Sequence, residues 1–285
     1  MPENEKPGET TLFIQRMDGE LLGWDRPAAR LREALDRDQL RLHAQPVVAL
    51  EKEGEDPEFA EVLVRLREDE ARLLPPGDFL PAFEHYGMMA ELDRWVVRHA
   101  LGRLGQGGRL RKLSVNVSGQ TIEDGGFAAF AAEQLRLAGL APAALVLEID
   151  ENDAIDRRQA AERFAAAMKE VGCELTLDGF ARRSVSFELL KPLRVDYVKV
   201  DGAIVRNIMR SGSAASKLKA ILHAGRATGV KVIAECVEDD RILSSLKLLK
   251  VGYAQGFGIR RPEPIDELFK KLIGRAASKL HTSPQ

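Results

Sequence analysis

LRLHAQPVVAL (40–50) and FAEVLVRLR (59–67) are two apolar-rich runs separated by the charged stretch EKEGEDPE (51–58), and this pairing reads as an antiparallel hairpin. Downstream of residue 67 the chain has a different rhythm. LSVNV (113–117), LVLEI (145–149), CELTLD (173–178), DYVKV (196–200), KVIAE (231–235) and GYAQGF (252–257) alternate with longer amphipathic segments at 78–104, 126–138, 155–171, 203–210, 214–228, 238–250 and 264–274. Near-continuous apolar strands separated by helices imply a parallel sheet covered on both faces. Two strands in the hairpin and six after it give the eight that close an α/β barrel. An open doubly wound sheet is the alternative. An amphipathic run at Pro27–Asp38, PAARLREALDRD, adds a helix ahead of the hairpin.

The whole-chain numbers agree. A length of 285 residues suits one barrel domain, and 45% hydrophobic with 30% charged residues excludes a disordered chain. Lys plus Arg at 42 against Asp plus Glu at 44 leaves a net charge of −2, which gives no electrostatic pull toward a nucleic-acid polymer or an anionic membrane. No window reaches the apolar length of a membrane-spanning helix. The start MPENEKPGET has no apolar signal core, and Cys173 and Cys236 stand far apart without metal or redox spacing, so a reduced, cytoplasmic protein is expected. Residues 1–27 read as a tail and lead-in, 28–275 as the barrel, and 276–285 as a C-terminal tail. No strand is followed by GxGxxG or GxxxxGK[ST], which removes Rossmann and Walker nucleotide binding. The five histidines, His43, His85, His99, His223 and His281, show no metal or triad spacing.

Polar residues on these strands carry the chemistry. Glu61, Asn116, Glu148, Asp178, Lys199, Glu235 and Gln255 each interrupt or end an apolar strand. In a parallel barrel the C-terminal strand ends converge on one face, where active sites sit. Carboxylate and amide oxygens gathered there are hard ligands suited to Mg²⁺, Mn²⁺ or Ca²⁺ and not to zinc. Taken singly, each is better explained as a solvated strand end or a helix cap, and Asp201 reads most simply as a helix N-cap.

Taken together, the ordered set resembles the EAL-domain family of cyclic di-GMP phosphodiesterases over roughly residues 28–273. The motifs are Gln45-Pro46, Glu61-Val62-Leu63 followed by Arg65, PPGDFLPAFEHYGMMAELDRWVV (75–97), Val115-Asn116-Val117-Ser118, Leu147-Glu148-Ile149-Asp150-Glu151, Lys199-Val200-Asp201, Ala234-Glu235-Cys236-Val237-Glu238 and Gln255-Gly256-Phe257. The resemblance implies a modified (β/α)₈ barrel of the TIM type whose first strand runs antiparallel to the rest. It implies that Glu61, Asn116, Glu148 and Asp178 hold a divalent metal, Mg²⁺ or Mn²⁺, with Ca²⁺ as a non-productive substitute. Lys199 and Glu235 would position and deprotonate the attacking water, Arg65 would grip a phosphate, and Gln45 and Gln255 would face the ligand. Gln255 and Glu238 would order the metal's surroundings, and Glu151 would hold the loop that follows the strand at 173–178. A homodimer, and possible protein effectors, rest on the resemblance alone. No receiver-like or other sensory segment fits in the first 27 residues, so sensory input is expected from elsewhere.

The chain departs from the family at one place. The family has two adjacent aspartates and then a Phe-Gly-Thr-Gly-Tyr-Ser-Ser loop, where this sequence reads Leu177-Asp178-Gly179-Phe180-Ala181-Arg182-Arg183-Ser184-Val185-Ser186-Phe187. Gly179 offers no side-chain oxygen, and Ala181-Arg182-Arg183 contains no glycine to accept a left-handed turn. Ligand affinity draws on many contacts, whereas catalysis depends on a few groups whose loss commonly costs about 10²-fold or more. The first expectation is therefore a cyclic di-GMP receptor with weak or absent hydrolysis. The alternative is an active metal-dependent phosphodiesterase yielding the linear dinucleotide pGpG, and a lesser one is an interaction barrel without ligand. Cys236 stands where the family has glycine.

Overall fold

The computed structural model describes residues 26–52, 55–67, 72–107 and 110–281. Strands β1 (Leu40–Ala49) and β2 (Phe59–Arg67) form the expected hairpin, in antiparallel register from Leu40 opposite Leu66 to Val47 opposite Phe59. After a two-residue β3 (Leu73–Leu74) come the strands β4 (Lys112–Val117), β5 (Leu145–Asp150), β6 (Glu174–Phe180), β7 (Tyr197–Val200), β8 (Lys231–Ala234) and β9 (Tyr253–Ala254), and β10 (Glu263–Pro264) adds a short edge to β1. β2 pairs in parallel with β4, and the parallel run continues through β5, β6, β7, β8 and β9. β9 then meets β1 antiparallel, Val48 opposite Ala254, which closes eight strands into a barrel. The reversed strand is the first, as the sequence implies. Its polarity comes from the short hairpin connection, which only antiparallel neighbours can share.

Several helices start for a local reason. Ser118, Asp150, Asp201, Ser211 and Asp239 all cap helix N-termini through side-chain oxygens. The segment expected as one helix over 78–104 is two, Pro76–His85 and Met89–Gly105, because the chain turns at Gly87 with φ +67°. The last helix runs Ile265–His281, into the stretch expected as a tail, where Ala276, Ala277 and Leu280 continue a helix-favouring composition. Residues 1–25 of the expected N-terminal tail and 282–285 at the other end lie outside the described residues. Among the described residues no helix is long and apolar enough to cross a membrane.

The main core lies between the helices and the outer face of the barrel. A second, smaller cluster of Val47, Phe59, Val146, Tyr197 and Ile233 plugs the barrel floor, with Phe59 and Tyr197 ring centroids 5.4 Å apart. Lys112 finishes the floor by donating to Glu174 at 2.5 and 2.6 Å and to the Tyr197 hydroxyl at 3.2 Å. With the floor filled, Glu61, Asn116, Glu148, Asp178 and Lys199 on the strands, and Glu235 and Gln255 just past β8 and β9, lie toward the open end.

Candidate active site at the C-terminal strand ends

Lys199 is the centre of the site. The residue is 2% exposed, and its ammonium lies 2.5 Å from Glu148 Oε2, 3.0 Å from Glu61 Oε2 and 3.8 Å from Asp178 Oδ1. β7 delivers it between residues of β2, β5 and β6, which come from across the sequence. Asn116 Nδ2 donates to Glu61 Oε1 at 2.8 Å, and Gln255 Nε2 donates to Glu61 Oε2 at 2.7 Å. Gln45 closes the network, accepting from Gln255 at 3.2 Å and donating to the Arg260 carbonyl at 2.9 Å.

This many charges in a dry site cannot all be expressed at once. Burial strips Lys199 of water, yet Asp178, Glu148, Glu61 and Glu235 around it hold its ammonium well above the usual lysine range. Glu148 is pushed up to about 8 by burial, with the charges of Glu61 and Asp178 adding to the push and Lys199 opposing it. Burial also raises Asp178, against the pull of Lys199. Glu61 suffers the same desolvation, but Lys199 and the amides of Asn116 and Gln255 together leave it below the usual range. Glu235 reaches about 7 through burial and the charge of Asp178, and its Oε1 accepts from the Gly202 amide at 2.8 Å. Burial thus makes Glu148, Asp178 and Glu235 hold protons more tightly than free carboxyls do, a tendency that an added cation would oppose.

Two buried oxygens, Glu148 Oε1 and Asp178 Oδ1, have no hydrogen-bond partner. Unpaired buried acceptors are costly, and these two belong to the group of acids around Lys199. Among the described residues no three acidic, histidine or cysteine side chains stand ready as a metal-ligand set, and Lys199 Nζ lies among the oxygens of Glu61, Glu148 and Asp178. The donor chemistry, three carboxylates and the Asn116 amide with orphaned oxygens among them, fits a hard divalent cation.

A cavity of about 270 Å³ opens beside the cluster, with Leu63, Leu80, Met89 and Val96 among its apolar walls and Asn116, Glu148, Asp150 and Asp178 at its polar end. A smaller recess of about 130 Å³ lies on the other side, bounded by Gln45, Glu61, Glu235, Glu238, Gln255 and Phe257. Strand alternation puts Arg65 on the same face of β2 as Glu61 and Leu63, further toward the mouth. It is half-buried, and its Nη1 donates to the Val64 carbonyl at 2.8 Å. Glu238 does not join the cluster. It is exposed at the rim, 4.0 Å from Arg206.

The divergent loop takes a form that local sequence preference argues against. The β6–β7 register shifts between Leu177 and Phe180, a bulge holding Asp178 and Gly179, and Gly179 sits at φ +64°. Ala181 then adopts φ +67° despite lacking glycine's freedom. Glu151 stabilises that conformation: its carboxylate accepts from the Ala181 amide at 3.2 Å and also from the Arg182 amide. Glu151 thus contacts the loop after β6, and the absence of glycine at 181 does not prevent the turn. Asp201 caps its helix through the Ala203 amide at 2.9 Å. Cys236, at φ +55°, fits because Gly202 leaves room for its sulfur. Two residues of the site are not singled out by the sequence, although Asp93 lies within the motif at 75–97 and Arg182 within the divergent loop. Arg182 bridges Asp150 and Asp201, and buried Asp93 accepts from the Ser118 amide and hydroxyl and from the Thr121 hydroxyl at 2.6–2.8 Å, which fixes the turn after β4. An aspartate among the apolar residues of the helix Met89–Gly105 was the available signal for Asp93.

A closed barrel with one reversed strand and a carboxylate–lysine cluster at the C-terminal strand ends defines a modified (β/α)₈ barrel with a polar site at the usual face. The chain belongs to the EAL domain family, whose match spans residues 28–262. It is 30% identical over 255 residues, 88% of this chain and 30% of the relative, to the cyclic di-GMP phosphodiesterase PdeB of Shewanella oneidensis. It is 30% identical over 247 residues, 85% of this chain and 36% of the relative, to the bifunctional diguanylate cyclase/cyclic di-GMP phosphodiesterase MucR of Pseudomonas aeruginosa. The chain thus spans about a third of the length of these curated relatives. Among solved structures it is similar to the PaMucR phosphodiesterase in its c-di-GMP complex, with a TM-score of 0.78 and 28% identity over 85% of this chain and 99% of that one. It is equally similar in fold to the Xanthomonas citri FimX EAL domain in complex with c-di-GMP, at 0.78 and 27% over 89% and 96%.

Proposed function

We propose that this barrel binds cyclic di-GMP and acts as a receptor with weak or absent hydrolysis. The observation that carries the reading is the β6 bulge. Beside Asp178 the chain has only the Cα of Gly179, and an arginine side chain lies over it, so position 179 offers no second carboxylate to hold a second metal ion. Family membership and the ligands bound by the similar MucR and FimX structures support cyclic di-GMP as the ligand. Glu61, Asn116, Glu148 and Asp178 would hold Mg²⁺ or Mn²⁺. Such an ion would polarise a phosphate oxygen. Arg65 lies on the mouth side of Glu61, where its planar fork can pair with a phosphate.

A second reading, an active phosphodiesterase, draws on Glu235. A carboxyl held at about 7 within reach of Lys199's field is matched to accepting a proton at neutral pH. The two readings separate in one experiment: protein, Mn²⁺ and cyclic di-GMP incubated together, with chromatography for pGpG and calorimetry for binding. The receptor reading expects a Kd at or below the micromolar range, about −8 kcal/mol, without product. Turnover near about 1 s⁻¹ would overturn it in favour of the enzyme. No heat at about 100 μM ligand, with or without divalent ions, would overturn both.

A further inference from the structure

Arg182 lies on an exposed loop just past the bulge, yet its guanidinium turns back across the strand ends. Nη1 donates to Asp150 Oδ2 at 2.9 Å and Nε donates to Asp201 Oδ2 at 3.1 Å. Asp150 ends β5 and Asp201 comes directly after β7, so the guanidinium spans the end of β6 between them. Each aspartate uses its other oxygen as a helix cap, Asp150 to the Asn152 amide and Asp201 to the Ala203 amide, so both carboxylates are held in place. Nη2 lies over Gly179, where a Cβ would come within 2.3 Å of it. A side chain at 179 and this position of Arg182 are mutually exclusive.

The bridge is a poor device for stability. The Arg182 side chain is 42% exposed, and ion pairs at such exposure contribute little. Its effect falls on the site. Asp150 is the register partner of Asp178 and lines the same cavity as Asn116, Glu148 and Asp178. Carboxylates at the ends of three adjacent strands would attract a divalent ion, and the guanidinium already neutralises two of them.

We propose that Arg182 is a resident cation: it takes up Asp150 and Asp201 beside Asp178, keeps a divalent ion from gathering there, and presents Nη2 to the phosphate of the bound ligand. This rests on the cyclic di-GMP reading for the ligand, but its consequence for metal binding does not. The chain then engages an anionic ligand with less help from metal than it needs once the arginine is gone.

The test titrates Mn²⁺ into the full chain by calorimetry without ligand, comparing the parent with Arg182→Ala, Arg182→Gln and Arg182→Lys, each checked for cooperative thermal unfolding. The neutral variants should take up an additional equivalent of Mn²⁺ that the parent and Arg182→Lys do not. In chelator, cyclic di-GMP should bind Arg182→Gln about tenfold more weakly than the parent, the scale of one charge-assisted hydrogen bond, and Mn²⁺ should recover most of the loss. Equal Mn²⁺ stoichiometry across all four proteins overturns the proposal, as does an equal, metal-independent affinity for cyclic di-GMP. A parent that binds no cyclic di-GMP while the neutral variants gain a Mn²⁺ equivalent refutes the ligand assignment and leaves the resident cation standing.

Discussion

Replacing Lys199 by methionine removes the one positive charge from a buried group of acids while nearly keeping the volume. The structure sets the size of the effect. The ammonium touches Glu148 at 2.5 Å and Glu61 at 3.0 Å, both buried, and stands 3.8 Å from the partly buried Asp178. Breaking a buried ion pair by deleting one partner costs about 3–5 kcal/mol, because the remaining charge has no compensation. The acids can escape that cost only by taking up protons. Glu148 is raised from 4.5 to about 8 even with Lys199 present, and losing the lysine raises the group further. A carboxyl raised in the folded state adds stability that is present below its unfolded value and lost as pH rises through its folded value. The variant should therefore be destabilised by about 1–2 kcal/mol at pH 5.5 and by about 3–5 kcal/mol at pH 8.5, read from urea unfolding. Mn²⁺ should restore part of the loss at pH 8.5, since a divalent ion can take the ammonium's place among the oxygens. A loss below about 1 kcal/mol at both pH values, unaffected by Mn²⁺, would refute the picture of Lys199 as the counter-ion of three carboxylates.

Gly179→Asp should not raise phosphodiesterase activity: a side chain at φ +64° costs about 1–2 kcal/mol and must evict Arg182 Nη2, so only the pair Gly179→Asp/Arg182→Gly should gain turnover. A several-fold gain from the single change, seen as pGpG by chromatography, would contradict this. Asp93 is held at about 6 by burial, which outweighs its hydrogen bonds from Thr121 and Ser118. The parent should therefore lose on the order of 3 kcal/mol relative to Asp93→Asn as pH rises from about 4 to 7, measured by urea unfolding at each pH. Arg65→Ala should weaken cyclic di-GMP binding by about 1.5–3 kcal/mol in calorimetry, and an unchanged Kd would mean that Arg65 does not reach the phosphate.

The amino-acid sequence alone determined the hairpin at 40–67, the repeating strand and helix units, and the polar residues at strand ends, because each is written in the spacing of neighbouring residues. It also marked position 179 as the place where a carboxylate is missing. It could not show that Lys199 stands among Glu61, Glu148 and Asp178, since that depends on the register of strands whose residues are up to 138 positions apart. The left-handed Ala181 was equally hidden: local preference argues against it, and Glu151, thirty residues earlier, overrides that preference by binding the loop amides. Arg182 reads in the sequence as one more charged loop residue. Only the bulge in β6 and the bare Cα of Gly179 let its guanidinium lie between Asp150 and Asp201, and a bulge arises from how neighbouring strands pair, which no local pattern encodes.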